Sequence, residues 1–465
     1  FEIVGEKHTY LSYDKLVPKQ TIEVTVTGLG STGEGVGKVN GFTIFAHGGL
    51  PGEIVKVKLD SVKKTYAMGR VIEILKSSAY RCEPVCPVYE ECGGCQLQHL
   101  RYEAQLKIKT QQVKDALTRI GHLKNVEVLP TLRAIEPTFY RNKMQVPVAS
   151  NEGQLEIGCF AASTHRVVNV DNCFIQKDKN NKIIGVVRDW MKKYRIPAYN
   201  EDKGTGIIRH VMGRVGVHTG DVMVVLVTAT YDIPHAKELT KMLRENIPGL
   251  KSFIQNINKR HTNVIMGLKD RLIFGKSTIR DTLGSLKFNI SAQSFFQVNS
   301  EQAEKLYNKA VEFASLTGKE IVFDVYCGTG TISLFLAKHA KAVYGIEIVP
   351  QAISDARRNA QDNHCDNATF ILGDAVLKLP ELLEQGIKPD VVLLDPPRAG
   401  CEERVLSSIV HVKPKRIVYV SCNPSTLARD LAYLSSHGYN VPIVQPVDMF
   451  PQTAHVECVA LIERK

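Results

Sequence analysis

Short apolar runs with alternating polar positions mark the N-terminal part of the chain. Four of them predict strands: TIEVTV (21–26), FTIFA (42–46), EIVKVKL (53–59) and GRVIEIL (69–75). Nine glycines from Gly28 to Gly52 supply the tight turns and bends that a small closed sheet needs. The pattern therefore predicts a small β-barrel over residues 18–77.

The period of the apolar positions changes after the barrel. Apolar residues recur at helical spacing between Val113 and Ile120, which predicts a helix over about 99–120. Residues 126–285 then alternate short β runs with a helix near 234–246, which indicates a mixed α/β domain.

From about residue 286 onward the chain repeats strand, glycine turn and helix. That rhythm is typical of a parallel sheet with crossover helices. The predicted fold class is α/β. It comprises an N-terminal small β-barrel (18–77), a mixed α/β central domain (78–285) and a C-terminal Rossmann-like domain (286–465).

The first C-terminal repeat, EIVFDVYCGTGTISLFLAKH (320–339), reads as a strand, a glycine turn and a helix. Gly328 and Gly330 allow the backbone to approach a ligand at the helix N-terminus. Glu347 ends the next predicted strand, where a carboxylate can accept hydrogen bonds from both ribose hydroxyls of a nucleoside cofactor. The turn has only one glycine-x-glycine pair, which argues against a dinucleotide and for S-adenosylmethionine, a cofactor without phosphate.

Two more acidic residues follow predicted strands in this half. Asp374 ends the run FILGD, where it can meet the adenine, and Asp395 follows the strand in DVVLLDPP (390–397). The DPP sequence resembles the motif by which amino-methyltransferases bind an exocyclic nitrogen. Those enzymes place an aromatic residue next, whereas this chain has Arg398, so methylation of nitrogen is disfavoured.

A cysteine follows the next predicted strand, in RIVYVSCNPSTLARD (416–430), at the sheet edge where doubly wound folds bind ligands. Beside a methyl donor, Cys422 suits methylation of a pyrimidine at carbon 5, which is too weak a nucleophile to react unaided. A thiolate that adds to carbon 6 turns carbon 5 into an enolate carbon, and a base then removes the carbon 5 proton. Glu457 is the candidate base and Asp448 its rival, while a buried inert thiol is the alternative interpretation of Cys422.

The charge balance adds a partner to this picture. Lys and Arg total 59 against 48 Asp and Glu, a net charge of +11, which favours a polyanionic partner. Basic residues in the predicted barrel fit either a nucleic-acid-binding face or a solvated edge strand: Lys56, Lys58, Lys63, Lys64 and Arg70.

The chain lacks the patterns of export and membrane insertion. No apolar run approaches the ~18 residues of a membrane span, and Phe1–Val17 has no signal-peptide pattern. We therefore expect a cytoplasmic protein with no membrane association and no obligatory protein partner.

Five motifs together resemble the RNA (uracil-5-)-methyltransferase family: FFQVN (295–299), DVYCGTG (324–330), LDPPRAG (394–400), SCNPSTLARD (421–430) and DMFPQTAHVE (448–457). The resemblance implies an S-adenosylmethionine-dependent methyltransferase domain in which Cys422 is the nucleophile and Glu457 the base. It also implies a cofactor pocket lined by Gln297, Tyr326, Glu347, Asp374 and Asp395.

A cysteine-rich segment with the spacing Cys86-x5-Cys92-x2-Cys95 follows the predicted barrel. Zinc sites usually need a second short pair of ligands, and radical enzymes need another spacing. An iron–sulfur cluster with three local ligands and one distant ligand fits best. Cys82 and Cys159 compete for the fourth position on sequence grounds.

The resemblance favours the ribosomal-RNA branch of the family. It implies a TRAM-like barrel and a 4Fe-4S cluster bound by Cys86, Cys92, Cys95 and a distant cysteine, here Cys173. The expected function is methylation of a 23S ribosomal RNA uridine at carbon 5.

Binding of folded RNA by the barrel and the central domain would accompany that reaction, with a uridine flipped towards Cys422. Arg141 and Lys143 are candidate phosphate contacts, or members of structural salt bridges. One alternative is a tRNA-directed enzyme, a branch expected to lack the barrel and the cluster. The other is a non-catalytic RNA-binding assembly factor.

Overall fold

The computed structural model describes residues 16–465, so most of the N-terminal segment Phe1–Val17 lies outside the described residues. Contacts divide the chain into two compact units. One comprises the residues up to Pro84 with Gln96–Ala104, and the other comprises Val85–Cys95 with Gln105–Lys465. Within the described part, no helix has the length and hydropathy that crossing a bilayer requires.

A closed five-stranded barrel forms the first unit, with the strand order β1-β2-β3-β5-β4. Its strands are β1 (Thr21–Leu29), β2 (Gly35–Val39), β3 (Phe42–His47), β4 (Ile54–Val62) and β5 (Tyr66–Lys76). Alternate residues such as Val24, Ile44 and Val57 are fully buried inside it. The predicted small β-barrel is confirmed, and Gly35–Val39 is a strand that the glycine-rich pattern concealed.

A seven-stranded sheet follows in the second unit, with the order β13-β12-β11-β10-β7-β8-β9. The elements from the barrel to the end of this region are α1 (Tyr102–Arg119), β6 (Glu127–Val128), β7 (Lys143–Asn151), β8 (Gln154–Phe160), β9 (Val167–Asn169), α2 (Asp178–Tyr194), β10 (Ile208–Val215), β11 (Val222–Thr228), α3 (Ala236–Asn246), β12 (Leu250–Ile257), β13 (Lys269–Gly275), β14 (Thr278–Leu283) and β15 (Leu286–Ser291). Helix α2 buries Trp190 completely in the core between helices and sheet. Strands β14 and β15 form a separate hairpin.

The C-terminal part is an eight-stranded sheet with the order β18-β17-β16-β19-β20-β22-β21-β6. Its elements are α4 (Ser300–Ala314), β16 (Ile321–Val325), α5 (Thr331–Ala337), β17 (Ala342–Glu347), α6 (Pro350–Asp362), β18 (Ala368–Leu372), α7 (Ala375–Glu384), β19 (Val391–Leu394), α8 (Glu403–Val412), β20 (Arg416–Ser421), α9 (Pro424–Ser436), β21 (Tyr439–Val447) and β22 (Glu457–Arg464). Strands β16 to β20 are parallel, and β22 is antiparallel to β20. The predicted Rossmann-like domain is confirmed, and its strand order reverses at β16, where such sheets bind ligands.

Helix α1 and strand β6 lie within the range predicted for the central domain, 78–285, yet both contribute to the C-terminal sheet region. Val113 and Leu117 of α1 share a buried core with Leu427 of α9, and β6 pairs in parallel with β21. Periodicity shows that a helix has an apolar face but not which sheet that face covers. The boundary near residue 286 therefore understates how much of the chain supports the C-terminal sheet.

Candidate active site

The turn between β16 and α5 has three residues in the left-handed region. Tyr326 has φ 66°, Gly328 φ 54° and Gly330 φ 79°. A Cβ on Gly330 would lie 2.8 Å from the Phe370 ring, whereas one on Gly328 would meet no atom within 4 Å. Gly330 is therefore required for packing, and Gly328 faces open space in which a ligand can approach the backbone.

Glu347, at the end of β17, fixes this turn. Its carboxylate accepts hydrogen bonds from the backbone N–H groups of Gly328 (3.0 Å), Ile348 (2.9 Å) and Val349 (3.1 Å). A carboxylate has about four acceptor positions, so capacity for a ribose hydroxyl remains. The sequence predicted the ligand contact but not the second task, which is to order the glycine turn.

The structure places the other predicted pocket residues on neighbouring elements. Asp374 caps α7, where its carboxylate accepts the N–H of Val376 at 2.9 Å. Gln297 hydrogen-bonds to the buried hydroxyl of Tyr307, and Tyr326 hydrogen-bonds to Cys401. Asp395 follows β19 directly, at the carboxyl edge of the sheet.

A buried carboxyl that sequence reasoning missed lies under the glycine turn. Asp324 is 1% exposed, and Ser333 Oγ donates to its Oδ2 at 2.5 Å. Its Oδ1 is buried and has no hydrogen-bond partner among the described residues. Burial, with smaller contributions from Asp395 and Glu347, raises the pKa of Asp324 to about 8. The signal was available, because an acidic residue near the end of the first strand precedes the glycine turn.

These observations fit a nucleoside cofactor. An orphaned buried carboxyl oxygen lies under an open glycine turn, and that turn is hydrogen-bonded to a carboxylate at the end of β17. Polar ligand groups satisfy such orphaned atoms, which otherwise cost free energy in a folded protein.

Cys422 lies one residue after β20 and two residues before Pro424 begins α9. A helix N-terminus lowers the pKa of a thiol. Here burial raises the pKa of Cys422, the carboxylates of Glu457 and Asp395 raise it further, and Arg398 lowers it. The thiol, both carboxylates and the guanidinium therefore share one electrostatic neighbourhood.

Glu457 is the first residue of β22 and is 6% exposed. Burial, followed by the charge of Asp395, raises the pKa of Glu457 to about 8. Its rival Asp448 is completely buried, and its Oδ1 pairs with Lys109 Nζ at 2.6 Å. An anion held in a buried ion pair is a poor proton acceptor, so Glu457 is the better candidate base.

The loop that follows Asp395 is held by α9 and its N-cap. The carbonyl of Arg398 accepts from Asn423 Nδ2 (3.2 Å) and from Thr426 Oγ1 (3.1 Å). Arg429 Nη2 donates to the carbonyl of Ala399 at 2.9 Å. These bonds fix the backbone of Arg398 while its side chain stays exposed.

Several positively charged side chains lie near this site. Burial lowers the pKa of His455, and Arg398, Lys109 and Arg141 lower it further. Burial, with Arg214 and Arg141, also lowers the pKa of Lys143 to about 8. Lys143 therefore lies among other cations, which suits a phosphate contact better than a structural salt bridge.

The cysteines of the second unit that are candidate cluster ligands lie near one another. Cys86, Cys92 and Cys173 each accept a hydrogen bond from the backbone N–H two residues further on, at Val88, Gly94 and Ile175. The thiol of Cys159 hydrogen-bonds to Cys92 and lowers the pKa of Cys92 to about 7. Cys95 lies within electrostatic range of Cys159.

The candidates for the fourth ligand belong to different compact units. Cys82 belongs to the first unit, where its thiol donates to the carbonyl of Gln98 at 3.4 Å. Cys159 and Cys173 both belong to the second unit, with Cys86, Cys92 and Cys95. Within residues 16–465, no three His, Cys, Asp or Glu side chains are arranged as a group that could hold a metal ion. The donors are gathered, but their sulfur atoms do not converge on one point.

The sheet order and the pocket at its carboxyl edge define an S-adenosylmethionine-dependent methyltransferase. Residues 101–465 match the model of the tRNA (uracil-5-)-methyltransferase family, and residues 17–72 match the TRAM domain. The chain belongs to that family and is an S-adenosylmethionine-dependent RNA (uracil-5-)-methyltransferase.

Known relatives resemble the chain over nearly its whole length. An uncharacterized RNA methyltransferase from Clostridium acetobutylicum is 49% identical over 456 residues, which are 97% of this chain and 99% of that protein. One from Halalkalibacterium halodurans is 50% identical and covers 96% and 97%. The crystal structure of Pyrococcus abyssi tRNA (uracil-54, C5)-methyltransferase in complex with S-adenosyl-L-homocysteine is similar with a TM-score of 0.76 and 30% identity, over 95% of this chain and 100% of that one.

The Pyrococcus similarity corrects one expectation. The barrel was expected to separate ribosomal-RNA enzymes from tRNA enzymes. A tRNA methyltransferase nevertheless aligns with 95% of this chain, which leaves too few residues for the barrel to be absent from the match. The presence of a barrel therefore does not identify the RNA substrate.

Proposed function

We propose that this enzyme methylates carbon 5 of a uridine in 23S ribosomal RNA through a covalent adduct with Cys422. The observation that carries the mechanism is the shared neighbourhood of Cys422, Glu457 and Asp395 at the carboxyl edge of the sheet. A thiol and a carboxylate beside the glycine turn meet the needs of pyrimidine carbon-5 chemistry better than those of nitrogen methylation.

In this mechanism S-adenosylmethionine, when bound, supplies the methyl group as an electrophile. The Cys422 thiolate would form a bond to carbon 6, and the electron pair of the C5–C6 double bond would make carbon 5 nucleophilic towards that methyl group. The bond between the methyl group and the sulfonium sulfur would break, with S-adenosylhomocysteine as the leaving group. The Glu457 carboxylate then takes the proton from carbon 5. The electrons of that C–H bond re-form the double bond as the bond between carbon 6 and sulfur breaks.

The environment of Glu457 supports its role as the base. General bases act best when their pKa is near the working pH, and burial raises the pKa of Glu457 to about 8. Cys422 has a raised pKa because of burial and the nearby carboxylates. The charge of Arg398 lowers the pKa of Cys422. Contacts with a phosphate or base of an RNA substrate would rearrange the side chains around this thiol.

The cofactor pocket assigned to S-adenosylmethionine comprises the predicted residues together with one addition. Glu347 would accept from the ribose, Asp374 would meet the adenine, and Asp324 would offer its unpartnered Oδ1 to a polar group of the ligand. Gln297, Tyr326 and Asp395 would complete the lining.

The cysteine segment is proposed to bind a 4Fe-4S cluster through Cys86, Cys92, Cys95 and Cys173. Backbone N–H donors directed at three of these sulfur atoms support it, because such bonds stabilise thiolate ligands of iron–sulfur clusters. Cys159 contacts Cys92 and is the strongest rival ligand. The cluster has no step in the proposed methyl transfer.

The choice of 23S ribosomal RNA rests on the cysteine spacing and its resemblance to the ribosomal-RNA branch. A second candidate substrate is tRNA, because the similar enzyme from Pyrococcus abyssi acts on uracil 54 of tRNA. Either substrate is consistent with a cytoplasmic enzyme, and we propose that location.

Covalent trapping on two 5-fluorouridine transcripts tests both the mechanism and the substrate. One transcript carries 23S ribosomal RNA segments and the other is a full tRNA. We expect an adduct at Cys422 with the ribosomal transcript, located by mass spectrometry, and 5-methyluridine in the matched uridine transcript. Adducts with tRNA alone would replace the proposed substrate, and methylation without any adduct would overturn the mechanism.

A further inference from the structure

The candidate base Glu457 directly follows a long loop. We expect Glu457 to remove a proton efficiently only if this loop keeps one conformation. Glu457 pairs with Val447 across the β21–β22 ladder, and residues 448–456 join the two strands. Gln452 within this loop adopts φ 71°, a left-handed conformation that side chains rarely take. Such a loop keeps its conformation only if other contacts hold it.

Helix α1 supplies two of those contacts, one turn apart on the same face. Lys109 Nζ binds Asp448 Oδ1 at 2.6 Å and the carbonyl of Phe450 at 3.2 Å. Gln105 exchanges two hydrogen bonds with Gln452: its Nε2 donates to Gln452 Oε1 (2.9 Å), and its Oε1 accepts the Gln452 N–H (3.1 Å).

The lysine pairing is buried to an unusual degree. The side chains of Lys109 and Asp448 are both 0% exposed. Burial lowers the pKa of Lys109, and the Asp448 charge opposes that change. Placing two charges out of water is costly, and a buried ion pair is therefore weak support for stability alone. A buried ion pair can instead favour one conformation of the chain over others.

We propose that Lys109 is a positioning residue for the base Glu457, an inference that rests on the proposed function. Its ammonium group anchors the start of the β21–β22 loop and so fixes the place at which β22 begins. Two causes raise the pKa of Glu457: its burial and the charge of Asp395. Lys109 is not one of them. Its effect on the base is therefore geometric, and it contacts neither the thiol nor the cofactor turn.

The test separates proton removal from the earlier steps. On 5-fluorouridine RNA, thiol addition and methyl transfer proceed, but carbon 5 then holds fluorine, so the adduct persists whether or not a base is in place. Lys109→Met should form this adduct to within twofold of the wild-type extent. On uridine RNA its kcat should fall at least tenfold with KM for S-adenosylmethionine unchanged, and methylated adduct should accumulate.

Two further variants keep the test decisive. Lys114→Met, on the exposed face of α1, should behave as wild type. Lys109→Met/Asp448→Leu removes both buried charges and should restore folding if the single variant is unstable, while turnover stays low. Equal losses in trapping and turnover would mean a purely structural role, and wild-type turnover in the double variant would overturn the proposal. If wild-type protein fails to trap, the proposed function fails instead.

Discussion

The methyltransferase pocket and the cysteine segment belong to the same compact unit, but they are organised in different ways. Four of the five pocket residues end or follow successive parallel strands, and backbone pairing places them at one edge of the sheet: Tyr326, Glu347, Asp374 and Asp395. The cysteine segment, Val85–Cys95, has an isolated bridge between Cys92 and Ala161 as its regular pairing. A sheet arranges side chains before any ligand arrives, whereas a loop gathers donors that a bound group must still draw together.

The same difference appears in the hydrogen bonds. Around the pocket, side chains hold backbone at short range, as Glu347 does with the glycine turn and Arg429 with the loop after Asp395. In the cysteine segment the backbone holds the side chains, because the N–H groups of Val88 and Gly94 donate to the sulfur atoms of Cys86 and Cys92. The first arrangement is held by hydrogen bonds within the protein, and the proposed metal cluster would complete the second.

The largest effect is expected at the nucleophile. Cys422→Ala should abolish both methylation and covalent adducts, because no other group can add to carbon 6. Glu457→Gln should slow turnover roughly 10²–10⁴-fold while adducts accumulate. Cys365→Ser, a half-buried thiol near the end of α6, is the matched control and should retain activity. Turnover by Cys422→Ala would show that the pocket does not act through a covalent adduct with this thiol.

Loss of the proposed cluster is the next largest effect. Anaerobically purified protein should be brown, with iron and sulfide near four of each per chain for a 4Fe-4S cluster. Cys173→Ser should lose iron or make it sensitive to oxygen. Cys82→Ser and Cys159→Ser should keep it, and Cys159→Ser is the stricter control because Cys159 contacts Cys92. Zinc in place of iron, or iron loss confined to a control, would contradict the ligand set.

A smaller effect is expected at the cofactor. Glu347→Ala removes an acceptor for the ribose and should weaken S-adenosylmethionine binding by roughly 1.5–3 kcal/mol, measured by calorimetry. RNA affinity without cofactor should hardly change. Glu384→Ala, an exposed carboxylate at the end of α7, should leave binding as it is. Unaltered cofactor affinity in Glu347→Ala would refute the pocket assignment.

The smallest effect concerns stability and pH. Folded Glu457 has a pKa of about 8, above the 4.5 of an unfolded glutamate. The folded state therefore binds more protons between these values, and its stability falls as pH rises through that range. The melting temperature without ligand should drop from pH 5 to pH 8. Glu457→Gln should reduce that drop by about 2–4 °C, and an equal drop in both proteins would show that the carboxyl is not neutral when folded.

Much of the proposed pocket could be predicted from local patterns. Gly328, Glu347 and Asp395 each follow a β run, and the carboxyl ends of parallel strands meet at one edge, so position along the chain translates into position in space. Asp324 was missed although it lies in the same pattern, because its side chain is buried and accepts a hydrogen bond from Ser333 in the first turn of α5. The proposed fourth cysteine ligand could not be derived from spacing, since Cys159 lies in β8 and Cys173 lies between β9 and α2.

By itself, the sequence determined the barrel, the Rossmann-like sheet and the chemistry at its edge, because periodicity and glycine turns are local properties of a chain. Only the tertiary structure showed that Asp448 is held in a buried ion pair, which favours Glu457 as the proposed base. The partner of Asp448 is Lys109, 339 residues away, on a helix whose pattern reveals an apolar face but no partner. A buried ion pair between such distant positions depends on how helix and sheet pack, and packing is a property of the whole fold rather than of any segment.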